Sequence, residues 1–248
     1  MKAIVLAAGS GNRLSSAFDD PKCLIPIGGI PLLKRYLEGF YAAGIDQVVL
    51  VAGYRMEKIV EYIKNLSVEF PMHILMNKDY EKGSIVSLWT AEEWLSGDIL
   101  LMDGDLYFER DFLSRAMTSM KQNFFLIDST ARNDGEAVMV GFREGRAVNL
   151  ARGLYGEFDL VGEWAGGIKL SPEGTSLLRD VVCRQIEEGN TEKGYEFIVP
   201  QLFDMIDLSY ELIDGCNWIE IDFPGDMEQA EKMDQGIRKK EKSHDKSA

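Results

Sequence analysis

Two glycines and two basic residues near the start of the chain have the types and spacing of an anion-binding loop. The segment IVLAAGSGNRL runs from an apolar, strand-like stretch into Gly9 and Gly11, and Arg13 follows. Glycines let backbone N–H groups approach an anion closely where a strand passes into a helix. Lys22 follows Pro21, whose ring restricts the backbone there. Together these residues predict a triphosphate site, although two glycines alone more often mark a tight turn.

The same segment lacks the features of two common nucleotide-binding loops. A dinucleotide-binding loop would carry a third glycine where Leu14 stands, and an acid after the second strand, where LVAGYR has none. A P-loop would continue into Gly-Lys-Ser or Gly-Lys-Thr, which this segment does not contain. The loop therefore fits neither class.

Three acids at the ends of apolar runs are candidates for metal binding. Asp103 and Asp105 lie in LLMDGDLYF, and alternate residues of a strand share a face. Two carboxylates on one face repel each other unless a cation lies between them, and Mg²⁺ prefers oxygen ligands. A simple turn explains Asp-Gly equally well. Asp222, in WIEID, also ends a strand-like run, where an Asp often only caps the next helix.

Strand-like runs alternate with helical stripes through the first half of the chain, and these elements would position the candidate residues. Fully apolar strands that alternate with helices predict a mostly parallel sheet covered on both faces, an α/β fold. The predicted strands are 3–8, 46–53, 72–77, 98–105 and 123–127, and the predicted helical stripes are 32–41, 56–63, 85–95 and 112–120.

The middle of the chain has a different pattern. Three strand-like runs with short glycine turns between 135 and 170 predict a small antiparallel lobe. Ser171 and Pro172 then begin a helix that ends at Gly189. A second helical segment follows, and NWIEIDFPGDMEQAEKM predicts a strand and an amphipathic helix. We predict one domain over 1–233, with the antiparallel lobe inserted at about 135–170, and a charged, flexible tail over 234–248.

The composition limits the classes of partner. The chain has 248 residues and a net charge of −14, which argues against a nucleic-acid binder. Its three cysteines are widely spaced and include no CxxC pair, as in a reduced cytoplasmic protein. No apolar run approaches the length of a membrane span, and the start of the chain does not resemble a signal peptide.

All of the candidate segments fall at predicted strand ends. In an open α/β sheet, ligands bind outside the carboxyl ends of the strands. The glycine turn, the segment from Gly83 to Ser87, the pair Asp103 and Asp105, and Asp222 are all placed at or just after such ends. Their convergence on one edge of one sheet is the basis of the functional prediction.

AIVLAAGSGNRL followed by PKCLIPIGGIPLL resembles the signature of the nucleotidyltransferases that join an NTP to a sugar phosphate or an alcohol phosphate. EKGSIVSLWTA, MDGDLYF, GEWAGGIKLS and WIEIDFPGDMEQA are most similar to the cytidylyltransferase branch, which acts on phosphocholine, 2-aminoethylphosphonate or inositol 1-phosphate. The resemblance runs from about residue 2 to residue 232. It implies the Rossmann-like, mostly parallel sheet of the nucleotide-diphospho-sugar transferase type. Asn12 departs from the pattern, which usually has Thr or a similar small residue there.

The resemblance implies roles for the candidate residues. The glycine loop with Arg13 would grip the β- and γ-phosphates, and Lys22 would stabilise charge on the triphosphate. Asp105 matches the main position for Mg²⁺ and Asp222 the second, while Asp103 matches an additional acid of the choline-type branch. The implied nucleotide-binding residues are Ala8, Gly9, Gly11, Asn12, Gly83, Ser84, Ser87 and Asp103.

The acceptor would need a cation for its phosphate and a site for its other end. Arg152 occupies the place of a lysine in related enzymes, and Lys169 competes with it for the phosphate. Aromatic and acidic side chains together suit an ammonium group, and the candidates are Glu163, Trp164, Tyr195 and Glu196. Taken one by one, the aromatic residues are more often part of a core and the acids more often solvated.

The leading prediction is a cytoplasmic, Mg²⁺-dependent enzyme that transfers CMP from CTP to a phosphorylated or phosphonylated amino-alcohol and releases pyrophosphate. The alternatives are a sugar-1-phosphate or inositol-1-phosphate nucleotidyltransferase and, from another class, a nucleotide-sensing module without catalysis. The identity of the base, the acceptor and the oligomeric state, monomer or homodimer, stay open.

Overall fold

The computed structural model describes residues 1–14, 18–66, 70–133 and 135–244, with the backbone alone for 240–244. Its strands, in chain order, are β1 (Lys2–Ala7), β2 (Pro26–Ile27), β3 (Ile30–Pro31), β4 (Gln47–Ala52), β5 (Met72–Met76), β6 (Ile99–Asp103), β7 (Leu106–Phe108), β8 (Phe124–Asp128), β9 (Val138–Arg143), β10 (Arg146–Arg152), β11 (Leu160–Leu170), β12 (Ser209–Leu212) and β13 (Trp218–Glu220). Its α-helices are α1 (Leu32–Ala42), α2 (Met56–Lys64), α3 (Ser84–Thr90), α4 (Arg110–Thr118), α5 (Pro172–Glu187) and α6 (Pro224–His244).

A nine-stranded mixed sheet forms the centre of the molecule. Its main path runs β10-β9-β11-β6-β1-β4-β5, and β8 joins it by pairing with β11 and β12. Strands β6, β1, β4 and β5 are parallel to one another, whereas β11 pairs antiparallel with β6, β8 and β9. The predicted combination of a parallel sheet and an antiparallel lobe is therefore confirmed.

The central strands are buried on both faces, so they consist of apolar residues without polar alternation. In β1, Ala3 and Val5 pack into the core that contains α1 and α4, while Ile4 and Leu6 pack into the core that contains α3 and α5. The helices cover both faces of the sheet, so a ligand cannot bind on either face. A cleft can form outside the carboxyl ends of the strands, where the chain turns from strand to helix.

Three predicted elements differ in extent or place. The helix expected over 85–95 ends at Thr90, and a 3-10 turn follows over Glu92–Trp94. The stripe expected to reach Met120 ends at Thr118, and Met120 is 96% exposed. The second helical segment consists of two 3-10 turns, Tyr195–Phe197 and Val199–Leu202.

Helix α6 carries the chain past the predicted domain boundary at 233. Its residue Asp234 is 3% exposed and accepts hydrogen bonds from Arg35. Arg238 forms an ion pair with Asp234 and donates to the carbonyl of Gly28. The helix is thus fastened to the β2–β3 hairpin beyond residue 233, and residues 245–248 of the predicted tail lie outside the described residues.

Within the described part of the chain, no helix has the length and apolar character needed to cross a membrane.

Candidate active site

A cleft of about 1010 Å³ lies along the carboxyl ends of the parallel strands and extends to the antiparallel lobe. The glycine turn after β1 and the loop before α3 line one side. The turn after β6 and the segment after β13 line the middle, and β9–β11 line the far side. The predicted residues that line it are Ala8, Gly9, Arg13, Ser84, Ser87, Asp103, Asp105, Arg152, Glu163, Trp164, Tyr195, Glu196 and Asp222.

The glycine turn presents backbone to the cleft. A Cβ atom at Gly9 would meet no atom within 4 Å, so this glycine leaves open space at the cleft surface. Gly11 has a φ of +62°, and its carbonyl accepts a hydrogen bond from Leu14 N at 2.8 Å. Gly11 therefore makes the turn itself. Gly11 and Asn12 lie behind the residues that line the cleft and are not among them.

Lys22 and Arg13 converge on the carboxylates of the cleft. Lys22 Nζ lies 2.9 Å from Asp105 Oδ2 and 2.5 Å from Asp222 Oδ1. Burial opposes the charged form of Lys22, yet the two carboxylates raise its pKa above the usual value. Arg13, whose side chain is 61% exposed, donates to Asp222 Oδ2 at 2.7 Å and lies over the ring of Phe223. The predicted basic residues near the start of the chain and the predicted acids from distant segments therefore meet at one place.

Asp105, Asp222 and Glu220 form an acidic cluster whose candidate ligand atoms lie within 4.8 Å of one another. Asp105 Oδ1 is buried and has no hydrogen-bond partner among the described residues, so one acceptor of this residue has no donor. Three carboxylates of this kind fit a hard divalent cation such as Mg²⁺. The described residues therefore fit the predicted metal, with Glu220 as an addition to the predicted pair.

The electrostatics of the cluster follow from its crowding. Burial, together with the nearby Asp105 and Asp222, raises the pKa of Glu220 to about 8. Burial would also raise the pKa of Asp222, but Lys22 and Arg13 hold that pKa below its usual value. Glu220 was missed in the sequence, although it stands two residues before Asp222 in WIEID, the spacing at which residues of an extended segment share a face.

The turn from Asp103 to Asp105 is fixed from two sides. The hydroxyl of Tyr36 donates to Asp103 O at 2.6 Å and accepts from Leu106 N at 3.0 Å. Gly104 N donates to Leu6 O at 2.9 Å, and a Cβ at Gly104 would lie 2.6 Å from Ala7 Cβ. Glycine is therefore required for the turn to pack against the end of β1.

The two acids of this turn do not share a partner. Asp105 contacts Lys22, whereas Asp103 Oδ2 accepts from the hydroxyl of Tyr195 at 3.1 Å. Burial and the nearby Asp105 raise the pKa of Asp103 well above its usual value. Asp103 is thus a poorer metal ligand than Asp105, in line with its expected place among the nucleotide-binding residues.

The start of α3 differs from the prediction. Gly83 N donates to Thr191 O at 2.9 Å and Ile85 N to Lys193 O at 3.2 Å, so these amides are already paired within the chain. Ser84 does not cap the helix, because its hydroxyl accepts from Tyr195 N at 2.9 Å. A Cβ at Gly83 would lie 1.9 Å from Lys193 O.

Gly83 therefore permits a close backbone crossing and does not line the cleft. Ser84 and Ser87 do line the cleft, and Asn77 donates to the hydroxyl of Ser87 at 3.0 Å. The side of the cleft on which a base was expected therefore presents the hydroxyls of Ser84 and Ser87. The amides at the start of α3 are paired within the chain and are not free there.

The expected aromatic pair forms a wall and not an open cage. Trp164 is 7% exposed and Tyr195 is 3% exposed, with ring centroids 5.4 Å apart. The indole N–H of Trp164 donates to Gly167 O at 2.9 Å. Their neighbours Glu163 and Glu196 also line the cleft and are only partly buried. The acids are therefore better placed than the aromatic faces to meet a ligand.

The structure separates the two candidates for the acceptor phosphate. Lys169 lies in register with Leu100 near the start of β6, the end of the sheet opposite the cleft. Its ammonium donates to Lys121 O and Gln122 O, and Lys169 is not among the residues that line the cleft, so this geometry does not favour the predicted contact with the acceptor. Arg152 lines the cleft and is exposed, and it also donates to the carbonyl of Glu136.

Trp218 and Arg132 are among the cleft-lining residues that the sequence did not predict. Trp218 is half-buried, and its indole N–H donates to Asp128 Oδ2 at 3.0 Å. Arg132 lines the cleft on the loop after β8 and is exposed. Both depend on β13 pairing with β7 and on β8 lying beside β11, contacts between distant segments that periodicity does not show.

Comparisons with known proteins agree with this geometry. The chain is 26% identical over 235 residues to the bifunctional IPC transferase and DIPP synthase of Thermococcus kodakarensis, which covers 94% of this chain and 50% of that protein. It is 27% identical over 252 residues to the CMP-5'-(3-aminopropyl)phosphonate synthase of Streptomyces rubellomurinus, which covers 93% of this chain and 38% of that protein. The chain thus spans half or less of the length of these two relatives.

The fold is also that of a solved enzyme structure. The inositol-1-phosphate CTP transferase from T. maritima superposes with a TM-score of 0.75 at 22% identity, covering 95% of this chain and 96% of that one. The family model of the MobA-like NTP transferase domain matches residues 3–167, two thirds of the chain. The glycine turn, the two basic residues and the acidic turn after β6 all fall within the matched range. The chain belongs to the MobA-like NTP transferase domain family.

Proposed function

We propose that this protein transfers CMP from CTP to a phosphorylated or phosphonylated amino-alcohol, of the phosphocholine or 2-aminoethylphosphonate type, and releases pyrophosphate. One observation carries the proposal. A single cleft joins a glycine turn, two basic residues and an acidic cluster at one end to a carboxylate-lined wall with a second basic group at the other. The name of the Streptomyces relative, a CMP-phosphonate synthase with an amino group in its product, supports the same choice.

The nucleotide would occupy the side formed by the glycine turn and α3. The triphosphate would lie on the turn at Gly9, within reach of Arg13 and Lys22. The base would face the hydroxyls of Ser84 and Ser87, which can both donate and accept hydrogen bonds. A pyrimidine with an amino group and a carbonyl group on one edge is matched by such a pair.

The reaction needs no covalent enzyme intermediate and no histidine base. An oxygen of the acceptor phosphate, already anionic, attacks the α-phosphorus of CTP and forms a new P–O bond. The bond between the α-phosphorus and the oxygen that bridges to the β-phosphorus breaks, and pyrophosphate leaves. Lys22 and Arg13 would stabilise negative charge that grows on the leaving group. Holding two anions together in line supplies the rest, worth roughly 7–11 kcal/mol of the barrier in favourable systems.

Asp105 and Asp222, with Glu220 beside them, are the residues that would hold Mg²⁺. When bound there, the metal would neutralise charge on the phosphoryl oxygens and orient them. Its use by this chain is part of the proposal.

Arg152 is the proposed contact for the acceptor phosphate. It lines the cleft, whereas Lys169 lies near the other end of the sheet, and this difference in position supports Arg152. A guanidinium can hold a phosphate through two parallel N–H groups. Arg132, on the neighbouring loop, is a second basic residue on the same wall.

The charge balance of the cleft favours an acceptor that carries a positive group. Nine acidic residues line it against four basic residues, with Lys22 beside the cleft and paired to two of the acids, before a metal is counted. Glu163 on β11 and the half-buried indole of Trp218 line the cleft, as does Glu196 on the turn that packs against α3, and such acidic and aromatic side chains suit an ammonium group. The lining acids are Asp103, Asp105, Asp128, Glu136, Glu163, Glu196, Glu220, Asp222 and Asp226, and the lining basic residues are Arg13, Lys82, Arg132 and Arg152.

A second candidate is a sugar-1-phosphate or inositol-1-phosphate acceptor. Glu163, together with Glu136 on the loop after β8, can accept hydrogen bonds from the several hydroxyls of such a molecule. The two candidate acceptors differ in the group that meets these carboxylates. An amino-alcohol presents an ammonium group, whereas a sugar or inositol presents hydroxyl groups.

Pyrophosphate release tests the proposal directly. The protein is mixed with Mg²⁺, each of the four NTPs in turn, and phosphocholine, 2-aminoethylphosphonate or inositol 1-phosphate. We expect release with CTP and an amino-alcohol acceptor. Release only with inositol 1-phosphate or a sugar 1-phosphate would favour the second candidate. Nucleotide binding without release from any pair would identify a sensor and refute the proposed catalysis.

A further inference from the structure

The basic residues that would hold the triphosphate are paired, in this structure, with the carboxylates that would hold the metal. Lys22 contacts both Asp105 and Asp222, and Arg13 contacts Asp222. The Lys22 side chain is 17% exposed, so its ion pairs are shielded from solvent more than a surface pair. The carboxylates of Asp105 and Asp222 would therefore have to bind both the basic side chains and the metal.

The geometry sets a direct competition. Lys22 Nζ contacts Asp105 Oδ2 at 2.9 Å and Asp222 Oδ1 at 2.5 Å. A divalent cation held by those carboxylates would lie within a few ångströms of the ammonium. Two positive charges at that separation repel by about 4 kcal/mol per pair of unit charges at an effective dielectric constant of about 20. Metal and ammonium therefore disfavour each other at this cluster.

The position of the Lys22 side chain would allow its ammonium to leave the two carboxylates. A Cβ atom at Gly11 would lie 3.1 Å from Lys22 Cγ and 3.6 Å from Cε, so the lysine chain runs alongside the glycine turn. A triphosphate on that turn would lie next to the same side chain. The ammonium can thus exchange the carboxylates for phosphate oxygens by rotating its side chain, without a shift of the backbone.

We propose that Lys22 is an internal competitor of the metal, and that metal and nucleotide binding promote each other because the nucleotide draws Lys22 away from Asp105 and Asp222. This inference rests on the proposed metal site and adds a role for Lys22 besides stabilising the triphosphate. Coupling of this kind is reciprocal, so the metal must raise the affinity for the nucleotide by the same factor.

Binding of Mn²⁺, followed by its electron paramagnetic resonance signal, tests the inference without turnover. Lys22→Met removes the competing charge, and we expect Mn²⁺ alone to bind at least about tenfold more tightly than to the wild type. CTP should strengthen Mn²⁺ binding to the wild type and do so much less in Lys22→Met. Lys22→Arg keeps the charge and should restore wild-type affinity for Mn²⁺ alone.

Further variants keep the test decisive. Lys34→Met removes a partly buried lysine whose ion pair, among the described residues, is with Glu38, and it should leave Mn²⁺ affinity unchanged. Arg13→Gln should change affinity in the same direction as Lys22→Met, and it serves if Lys22→Met does not fold.

The outcomes separate the two proposals. Equal or weaker Mn²⁺ binding by both Lys22→Met and Arg13→Gln would overturn the inference while leaving the metal site in place. A wild type that binds Mn²⁺ no better than Asp105→Asn, with CTP present, would overturn the metal site and the inference together.

Discussion

Asp103 and Asp105 are two residues apart, but the turn between them sends their carboxylates to different partners. Asp103 meets the hydroxyl of Tyr195, and Asp105 meets the ammonium of Lys22 and the acidic cluster. The buried Asp105 Oδ1 has no donor among the described residues, so Asp105 keeps an acceptor that no hydrogen bond occupies. Chemistry at the α-phosphorus should therefore depend on Asp105 more than on its neighbours.

Asp105→Asn should abolish turnover and leave the fold intact. The change removes one anionic ligand from the cluster, and a fall in kcat of at least about a hundredfold is expected for loss of such electrostatic stabilisation. Kinetics of pyrophosphate release and the circular dichroism spectrum measure the two effects. Asp180→Asn, on the exposed surface of α5, is the matched control and should change neither. Near-normal kcat in Asp105→Asn would remove this residue from the metal site.

The two glycines of the first turn should respond differently to alanine. Gly9→Ala places a methyl group in open cleft space, so the melting temperature should stay the same while KM for CTP rises. Gly11→Ala forces alanine to a φ of +62° and against Lys22, so it should cost about 1 kcal/mol or more of stability. Thermal unfolding and steady-state kinetics of both variants compare the two. Equal loss of stability in both would show that Gly9 is also structural.

Residue-level predictions from the sequence succeeded where a local motif carried them. The glycine turn, Arg13, Lys22, Asp105 and Asp222 come together as expected, because the glycine turn follows β1 and Asp105 follows the neighbouring parallel strand β6. The sequence was less informative about side chains that are placed by contacts between distant segments. Lys169 and Glu163 lie on the same strand, but they are six positions apart and lie towards opposite ends of the sheet.

At the scale of elements, α6 links the two sides of the acidic cluster. The helix begins at Pro224, and Asp226 accepts hydrogen bonds from the amides of Asp222 and Phe223. Further along, Glu231 accepts from Gly28 N, in the hairpin that follows Lys22 within a few residues. One helix thus holds the segment of Asp222 and the segment of Lys22 together.

Asp234→Ala should loosen this helix from the hairpin. The carboxylate is buried and paired with Arg35 and Arg238, so its removal leaves buried positive charge and should cost about 3 kcal/mol or more. Arg238→Gln, at a residue whose side chain is 45% exposed, should cost much less. Denaturant unfolding of both variants measures the difference. Similar small losses would show that α6 docks mainly through its apolar residues.

The carboxylate at the end of β8 should make part of the stability depend on pH. Burial would raise the pKa of Asp128, but hydrogen bonds from Thr130 and Trp218 hold that pKa below its usual value. Its contribution is therefore complete above the unfolded-state pKa of about 3.9 and is lost as the pH falls through the folded-state pKa.

Asp128→Asn provides the comparison for this effect. The wild type should be more stable than the variant by a constant margin between pH 5 and 7, and the margin should shrink below about pH 4. Unfolding followed by tryptophan fluorescence at each pH measures it. A margin that does not change down to pH 3 would contradict the assignment.

Element boundaries were predicted well where propensity and burial agree. Ser171 caps α5 through Gly174 N with Pro172 at its first turn, as the sequence indicates. The strand in WIEID was also predicted, but its partner was not. It pairs with β7 in a separate two-stranded sheet, and only that pairing brings Trp218 and Glu220 to the cleft.

At the scale of the molecule, the net charge of −14 is concentrated in part at the cleft. Repulsion among these carboxylates disfavours the compact state, and bound cations relieve it. Metal and nucleotide should therefore stabilise the whole fold and not only the cleft.

Mg²⁺ with CTP should raise the melting temperature of the wild type. A ligand at about one hundred times its Kd adds about 2.7 kcal/mol, which for a chain of this size corresponds to roughly 5–10 °C. Differential scanning fluorimetry measures the shift, with CTP alone and Mg²⁺ alone as controls. Asp105→Asn should show a smaller shift, and an equal shift in that variant would argue against metal-dependent nucleotide binding.

The hydrogen bonds of Tyr195 limit which substitutions could change the acceptor preference during evolution. Its backbone N–H holds Ser84 at the base side, and its hydroxyl holds Asp103 beside the reacting centre. A substitution there disturbs both halves of the cleft at once, so this position is a poor place to tune one substrate independently. Arg132 and Glu136, exposed on the loop after β8, can vary without touching the core. New acceptors would be accommodated most cheaply by exchange of that loop, with the nucleotide side left as it is.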